Sequence, residues 1–201
     1  MAIKKRMVGI VGVGHVGAHV AFNLGMMGIA DEVLLCDLKE SKVTSEVQDL
    51  NDAVMYMPNH VIYKASDYAG LKDCDVIVNA VGDITLCASG SRDGELENSV
   101  KQVADYVPKV MAAGFHGLFV SITNPCDVVA NLIARKSGLP KGYVMGTGTL
   151  LDSSRLIHAI SEQTGLDSRG FTAFMLGEHG NSQIVPISRE SDGKNQEVSP
   201  Y

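Results

Sequence analysis

Residues 7–17 read Met7-Val8-Gly9-Ile10-Val11-Gly12-Val13-Gly14-His15-Val16-Gly17, a short apolar run that opens into a Gly-x-Gly-x-x-Gly loop. The apolar run has the length of a buried strand. After the loop, Val16, Val20, Leu24 and Met27 recur at helical spacing. A strand, a glycine-rich turn and a helix in that order form a phosphate cradle. Gly12 permits the tight turn, Gly14 lets the backbone approach a pyrophosphate, and Gly17 lets the helix pack closely. The helix N-terminus adds N–H groups and partial positive charge. His15, inside the loop, is expected to lie exposed over the phosphates.

The next apolar run, Val33-Leu34-Leu35-Cys36, ends at Asp37, 20 positions after Gly17 (37 minus 17). A carboxylate there can accept hydrogen bonds from both adenine-ribose hydroxyls. It would repel a 2′-phosphate, so the expected cofactor is NAD rather than NADP. A glycine-rich turn without a ligand is the bland alternative, and the strand, helix and acid together weigh against it.

The alternation continues outward from this unit. Ser41–Val54 has Val43, Val47 and Leu50 on one side, as in a surface helix. Strands are predicted at Val61–Tyr63, Val76–Val78, Leu118–Val120 and Tyr143–Met145, and helices at Glu95–Ala113 and Asp127–Lys136. Strands apolar throughout suit a parallel sheet covered on both faces. The predicted fold is therefore α/β, a doubly wound parallel sheet of the Rossmann kind with right-handed crossovers. The character changes after Gly146. A helix is expected over Thr149–Gln163, strands over Phe171–Leu176 and Gln183–Ile187, and a polar loop over Ser188–Tyr201. The predicted organisation is a dinucleotide-binding domain over 1–146 and the first part of an α+β catalytic domain over 147–201.

Composition excludes several functions. With 17 basic and 23 acidic residues the net charge is −6, which disfavours nucleic acid as the main partner. No stretch approaches the roughly 18 apolar residues of a membrane helix. The apolar run behind Lys4-Lys5-Arg6 is broken too soon to act as an export signal. Cys36, Cys74, Cys87 and Cys126 lack C-x-x-C spacing, so no metal site is expected. Reduced thiols and a cytoplasmic location are the default.

A second set of residues offers chemistry. Asp152 and Arg155, three apart on the helix starting near Thr149, share a face with His158. A solvated ion pair is one reading. In the other, Arg155 grips a carboxylate with its planar fork, while Asp152 bonds one nitrogen of His179 and fixes its tautomer. His158 is left as a surface residue. His179 sits between glycines in Gly177-Glu178-His179-Gly180. Asn124-Pro125 follows a strand at the edge where doubly wound sheets bind ligands, although it also suits a helix cap with proline at the first helical position.

These residues resemble the lactate/malate dehydrogenase superfamily, and especially the L-2-hydroxyisocaproate and L-lactate dehydrogenases. The carriers are Val11–Gly17, Asn79-Ala80-Val81-Gly82, Thr123-Asn124-Pro125, Gly146–Arg155 and Leu176–Gly180. The resemblance implies that His179 is the proton acceptor, backed by Asp152, and that Arg155 anchors the substrate carboxylate. It implies that Arg92 closes over the substrate and polarises its carbonyl, and that Asn124 donates near the carbonyl and the nicotinamide. Val81, Gly82 and Thr123 would line the cofactor channel with Gly12, Gly14, His15, Val16, Gly17 and Asp37. The segment Asp83–Gly90 would be a lid. The implied activity is hydride transfer between NAD and a small L-2-hydroxy acid, in a dimer or tetramer.

The lid begins Asp83-Ile84-Thr85-Leu86. It lacks the arginine of malate enzymes and the Arg-Gln pair of lactate enzymes, and Glu178 also leans away from malate. Apolar Ile84 and Leu86 favour a branched, 2-hydroxyisocaproate-like substrate, with lactate as the alternative. The family's catalytic domain continues for roughly 100 residues, the size of a domain-scale piece. A non-catalytic NAD-binding fragment is therefore a further alternative, with apolar surface near Ile184–Ile187 left bare.

Overall fold

The computed structural model describes residues 4–82 and 92–186, with the side chains of 92–94 outside that description. The chain divides into two compact units, Met1–Gly146 and Thr147–Tyr201.

The first unit alternates strand and helix. Strand β1 (Met7–Val11) leads to helix α1 (His15–Met26), then β2 (Glu32–Cys36), α2 (Glu40–Ala53), β3 (Ile62–Ala65) and β4 (Val76–Asn79). Helix α3 (Arg92–Ala112), β5 (Leu118–Ser121), α4 (Cys126–Ser137) and β6 (Val144–Gly146) complete it. All strand pairs are parallel, in the order β3-β2-β1-β4-β5-β6. This is the doubly wound sheet expected from the alternation.

Two cores explain why the central strands are mostly apolar. Successive side chains point to opposite faces of a sheet. Val8 and Ile10 of β1, with Val33 and Leu35 of β2, pack with Ala21 of α1 and with Val43 and Leu50 of α2. On the other side, Val11, Leu34, Ile77 and Phe119 pack with Val103, Val107 and Val110 of α3 and with Val129 and Ile133 of α4. Helices cover both faces, so apolar residues are favoured on both sets of positions of the central strands. Burial pushes the thiols of Cys36 and Cys74 up to about 12, consistent with inert core cysteines.

In the second unit, helix α5 (Leu150–Thr164) runs to Gly165 in the left-handed C-cap conformation. The strands expected at Phe171–Leu176 and Gln183–Ile187 do not form among the described residues. They shrink to isolated bridge positions at Thr172, Leu176 and Ile184, of which Leu176 and Ile184 pair antiparallel through two 2.8 Å bonds. Side chains at the start of α5 bond part of this backbone. Thr149 Oγ1 donates to Met175 O at 2.6 Å, and Met175 N donates to Ser153 Oγ at 2.9 Å. A backbone satisfied by a helix start has no need of a ladder. Ile187 and the loop expected over Ser188–Tyr201 lie outside the described residues, as do Cys87 and the lid expected at Asp83–Gly90. Among the described residues, no helix is long and apolar enough to cross a membrane.

Candidate active site

The carboxyl ends of β1, β2, β4 and β5 surround a cavity of about 590 Å³, within the usual range for small-molecule sites. Asp37, Leu38 and Lys39 lie at its β2 end, and Ile122, Thr123 and Asn124 at its β5 end. Three strand spacings separate those ends, about 14 Å. Such a span suits two nucleotides joined through phosphates.

The glycines are accounted for by contacts. Gly12 has φ +95°, and a Cβ on it would lie 2.5 Å from the Ala80 carbonyl oxygen. A Cβ on Gly17 would lie 2.0 Å from the Gly12 oxygen. A Cβ on Gly14 would meet nothing within 4 Å, so that side of the loop is an open cradle into which a ligand can come close to backbone. Gly14 caps α1 without a side chain, and the first turn carries no acid. Its N–H groups are therefore available to phosphate oxygens. His15 and Val16 are exposed beside them and line the cavity.

Asp37 is better placed than the sequence suggests. Val13 N donates to its Oδ2 at 2.7 Å and Lys39 N to its Oδ1 at 3.0 Å. The carboxylate thus holds the glycine loop. A carboxylate offers about four lone-pair positions, so acceptor capacity remains for ribose hydroxyls. These residues fit NAD. Val81, Gly82, Thr123 and Asn124 line the same cavity.

The alternative reading of Asn124 as a helix cap is overturned. The N-cap of α4 is Pro125, and the helix starts at Cys126. The Asn124–Pro125 bond is cis, and the Asn124 carbonyl accepts a bond from Ser99 Oγ at 3.3 Å. Asn124 is thereby released from capping and remains at the cavity edge. Arg92 is the first residue of α3, with its side chain outside the described residues.

The second unit brings together three of the predicted groups. His179 Nδ1 lies 2.5 Å from Asp152 Oδ2, and Arg155 Nη1 lies 3.5 Å from Asp152 Oδ1. Asp152, in the first turn of α5, is buried, while 68% of the Arg155 side chain is exposed. Arg155 can therefore meet an anion. The hydrogen bond from His179 holds the Asp152 carboxyl below its ordinary range, with Arg155 and the Gln183 amide acting in the same direction against desolvation. An ionised Asp152 selects the tautomer with hydrogen on Nδ1, which leaves the Nε2 lone pair as the proton-accepting position. A carboxyl depressed on folding adds stability above its unfolded value, and that stability is lost as pH falls through the folded value.

The turn carrying His179 is shaped by Gly177, at φ +105°. His158 pairs with Glu162 at 3.6 Å on the solvent side, as a surface residue. Gln183 escaped the sequence reading, since a lone glutamine after a glycine-rich turn carries no signal. Also unforeseen was a buried polar group under the cavity floor. Its sequence traces are Asn79, a polar residue closing the apolar strand β4, and Thr123, which the family motif already names. Among the described residues no cluster of metal-ligating side chains occurs.

The family model for the lactate/malate dehydrogenase NAD-binding domain matches residues 6–146. The chain is 42% identical over 186 residues to an L-lactate dehydrogenase of Fusobacterium nucleatum, covering 92% of this chain and 58% of that one. It is 42% identical over 193 residues to L-lactate dehydrogenase 1 of Bifidobacterium longum, covering 96% and 61%. Among solved structures, the minor L-lactate dehydrogenase of Enterococcus mundtii superimposes with a TM-score of 0.90 at 32% identity, over 94% of this chain and 60% of that one. A lactate dehydrogenase from a Medee basin deep-sea metagenome library gives 0.88 at 33% identity, over 96% and 61%. The chain thus spans about three fifths of the length of these relatives.

Proposed function

This chain belongs to the lactate/malate dehydrogenase family, and from that premise we propose that it serves the NAD-dependent interconversion of an L-2-hydroxy acid and its 2-keto acid. The observation that carries the proposal is the His179–Asp152–Arg155 cluster in a chain whose first unit is an NAD-binding domain. NAD, when bound, accepts or returns the hydride. The chain's own groups do the rest. As the alcohol is oxidised, its hydroxyl proton passes to His179 Nε2, and the imidazolium is held by Asp152. Imidazole is a side chain suited to accepting and returning a proton as a general acid/base. Arg155 holds the carboxylate through paired N–H bonds. In the reducing direction Arg92 stabilises negative charge on the carbonyl oxygen, and Asn124 donates beside it. Those last two roles are supported by the family pattern.

The preferred side chain is apolar and branched, as in 2-hydroxyisocaproate. Ile84 and Leu86 in the lid sequence support this reading. Lactate is the second reading, favoured by the activity that the relatives' names state. NADH consumption with 2-ketoisocaproate, pyruvate and oxaloacetate separates them. The highest kcat/KM is expected with 2-ketoisocaproate. A preference for pyruvate selects the second reading, and equal or faster turnover of oxaloacetate overturns both. NADH binding without turnover of any keto acid leaves a dinucleotide-binding piece only.

Arg155→Leu is expected to raise KM for the keto acid by about 10- to 150-fold, the range for losing hydrogen bonds to a charged group. NADH affinity should stay unchanged. Arg155→Lys should recover only part of the loss, because an ammonium lacks the fork. Steady-state kinetics with fluorescence titration of NADH checks both.

A further inference from the structure

Four buried polar side chains lie beneath the β4–β5 end of the cofactor cavity. Tyr106 OH donates to Asn79 Oδ1 at 2.8 Å. Asn79 Nδ2 donates to Ser121 Oγ and to Thr123 Oγ1, each at 3.0 Å. Thr123 Oγ1 donates onward to the Val81 carbonyl at 2.7 Å. Asn79 and Ser121 are fully buried, and Tyr106 and Thr123 almost so. Asn79 thus spends both of its amide hydrogens and accepts one bond. Such a buried, mutually bonded arrangement favours one geometry, with Thr123 Oγ1 also 3.3 Å from the Asn79 carbonyl.

What it ties together is specific. Tyr106 and Ser99 lie seven apart on one face of α3, and Ser99 Oγ donates to the Asn124 carbonyl at 3.3 Å. On the adjoining face, Glu95, Asn98 and Gln102 line the cavity. The floor residues Val81, Thr123 and Asn124 line it too. The wall and the floor of the β5 end are therefore joined by two hydrogen-bonded links, and the Asp37 end is joined by neither.

We propose that Tyr106 is a positioning residue for the nicotinamide half of the cofactor: through Asn79 and Thr123 it sets the distance between the α3 wall and the Val81–Asn124 floor. The proposal rests on dinucleotide binding and not on turnover. Asp37 and the glycine loop place the adenosine half at the β2 end, so the rest of an extended dinucleotide reaches the end that Tyr106 braces.

The test is binding of NADH and of ADP to the full chain, with Tyr106→Phe and Tyr63→Phe. Phenylalanine keeps the ring and deletes only the hydroxyl. Tyr63 is the control, because its equally buried hydroxyl donates to Ala21 O at 3.1 Å, away from the floor. Tyr106→Phe is expected to weaken NADH by about fivefold to tenfold, the worth of one buried hydrogen bond, and to leave ADP unchanged. Tyr63→Phe should change neither. Equal weakening of ADP and NADH, equal effects of the two variants, or no effect of Tyr106→Phe overturns the proposal. Should Tyr106→Phe fail to fold, Ser99→Ala decides, with selective loss of NADH in support and unchanged NADH affinity against. A wild-type chain that binds ADP but gains nothing from the nicotinamide half overturns the dinucleotide reading itself.

Discussion

Replacing His179 with asparagine is expected to lower kcat/KM for the preferred 2-keto acid by about 10²- to 10⁴-fold, the contribution of a positioned acid/base group. Asparagine retains an N–H that can reach Asp152, so the buried carboxylate is not abandoned and the second unit should still fold. NADH affinity should not change, because the cavity that fits the cofactor lies wholly in the first unit. The loss therefore belongs to proton transfer and appears in turnover rather than in cofactor binding. Asp152→Asn should fall in the same range. An amide at 152 can donate to Nδ1 and favour the wrong tautomer, as in the serine-protease triad. Acid should act like that substitution. Because the Asp152 carboxyl is depressed by His179, its charge persists down to a pH below the ordinary carboxylate range, and activity tied to that charge is lost only beneath it. Rates measured with each variant beside NADH titrations decide the matter. An His179→Asn protein that turns over at wild-type speed would remove the acid/base assignment.

The other large effect is expected at Gly17. An alanine Cβ there would sit 2.0 Å from the Gly12 carbonyl oxygen, a distance that no rotamer adjustment relieves, since both atoms are fixed by backbone. The loop must open. Overpacking of this kind costs about 1–3 kcal/mol and sometimes more. Here the displaced atoms belong to the loop proposed to cradle the phosphates, so binding and stability should fall together. NADH affinity is expected to drop by about 100-fold or more, which corresponds to about 2.7 kcal/mol. Gly14→Ala makes the instructive contrast. Its Cβ would meet no protein atom within 4 Å, so thermal unfolding should be unchanged while NADH binding weakens, because the methyl group occupies the open side of the cradle. A Gly17→Ala chain that melts and binds NADH like the wild type would mean that the loop relaxes at no cost.

Parts of this molecule can be read from local pattern. The central strands are legible because both of their faces are covered, which forces runs such as Val76-Ile77-Val78 to be apolar throughout. The edge strands β3 and β6 are partly exposed and show only as short apolar runs. Asp37 is legible because it closes such a run at a set distance from the loop. Phe171–Leu176 has strand composition yet forms only isolated bridge positions, and Thr149 and Ser153 bond the Met175 backbone between them. Asn124 misleads because asparagine before proline usually caps a helix, whereas here Pro125 takes the cap position.

The sequence by itself determined the chain order of strands and helices in the first unit, the glycine-rich loop and the acid at the end of β2. Those features are set by periodicity and by backbone sterics within a few residues. Tertiary structure alone decided that His179 meets Asp152 across 27 positions, that Asp37 holds Val13, and that Tyr106 meets Asn79. Such contacts depend on where packing carries distant backbone, and a hydrogen bond leaves no periodic trace in the residues that make it.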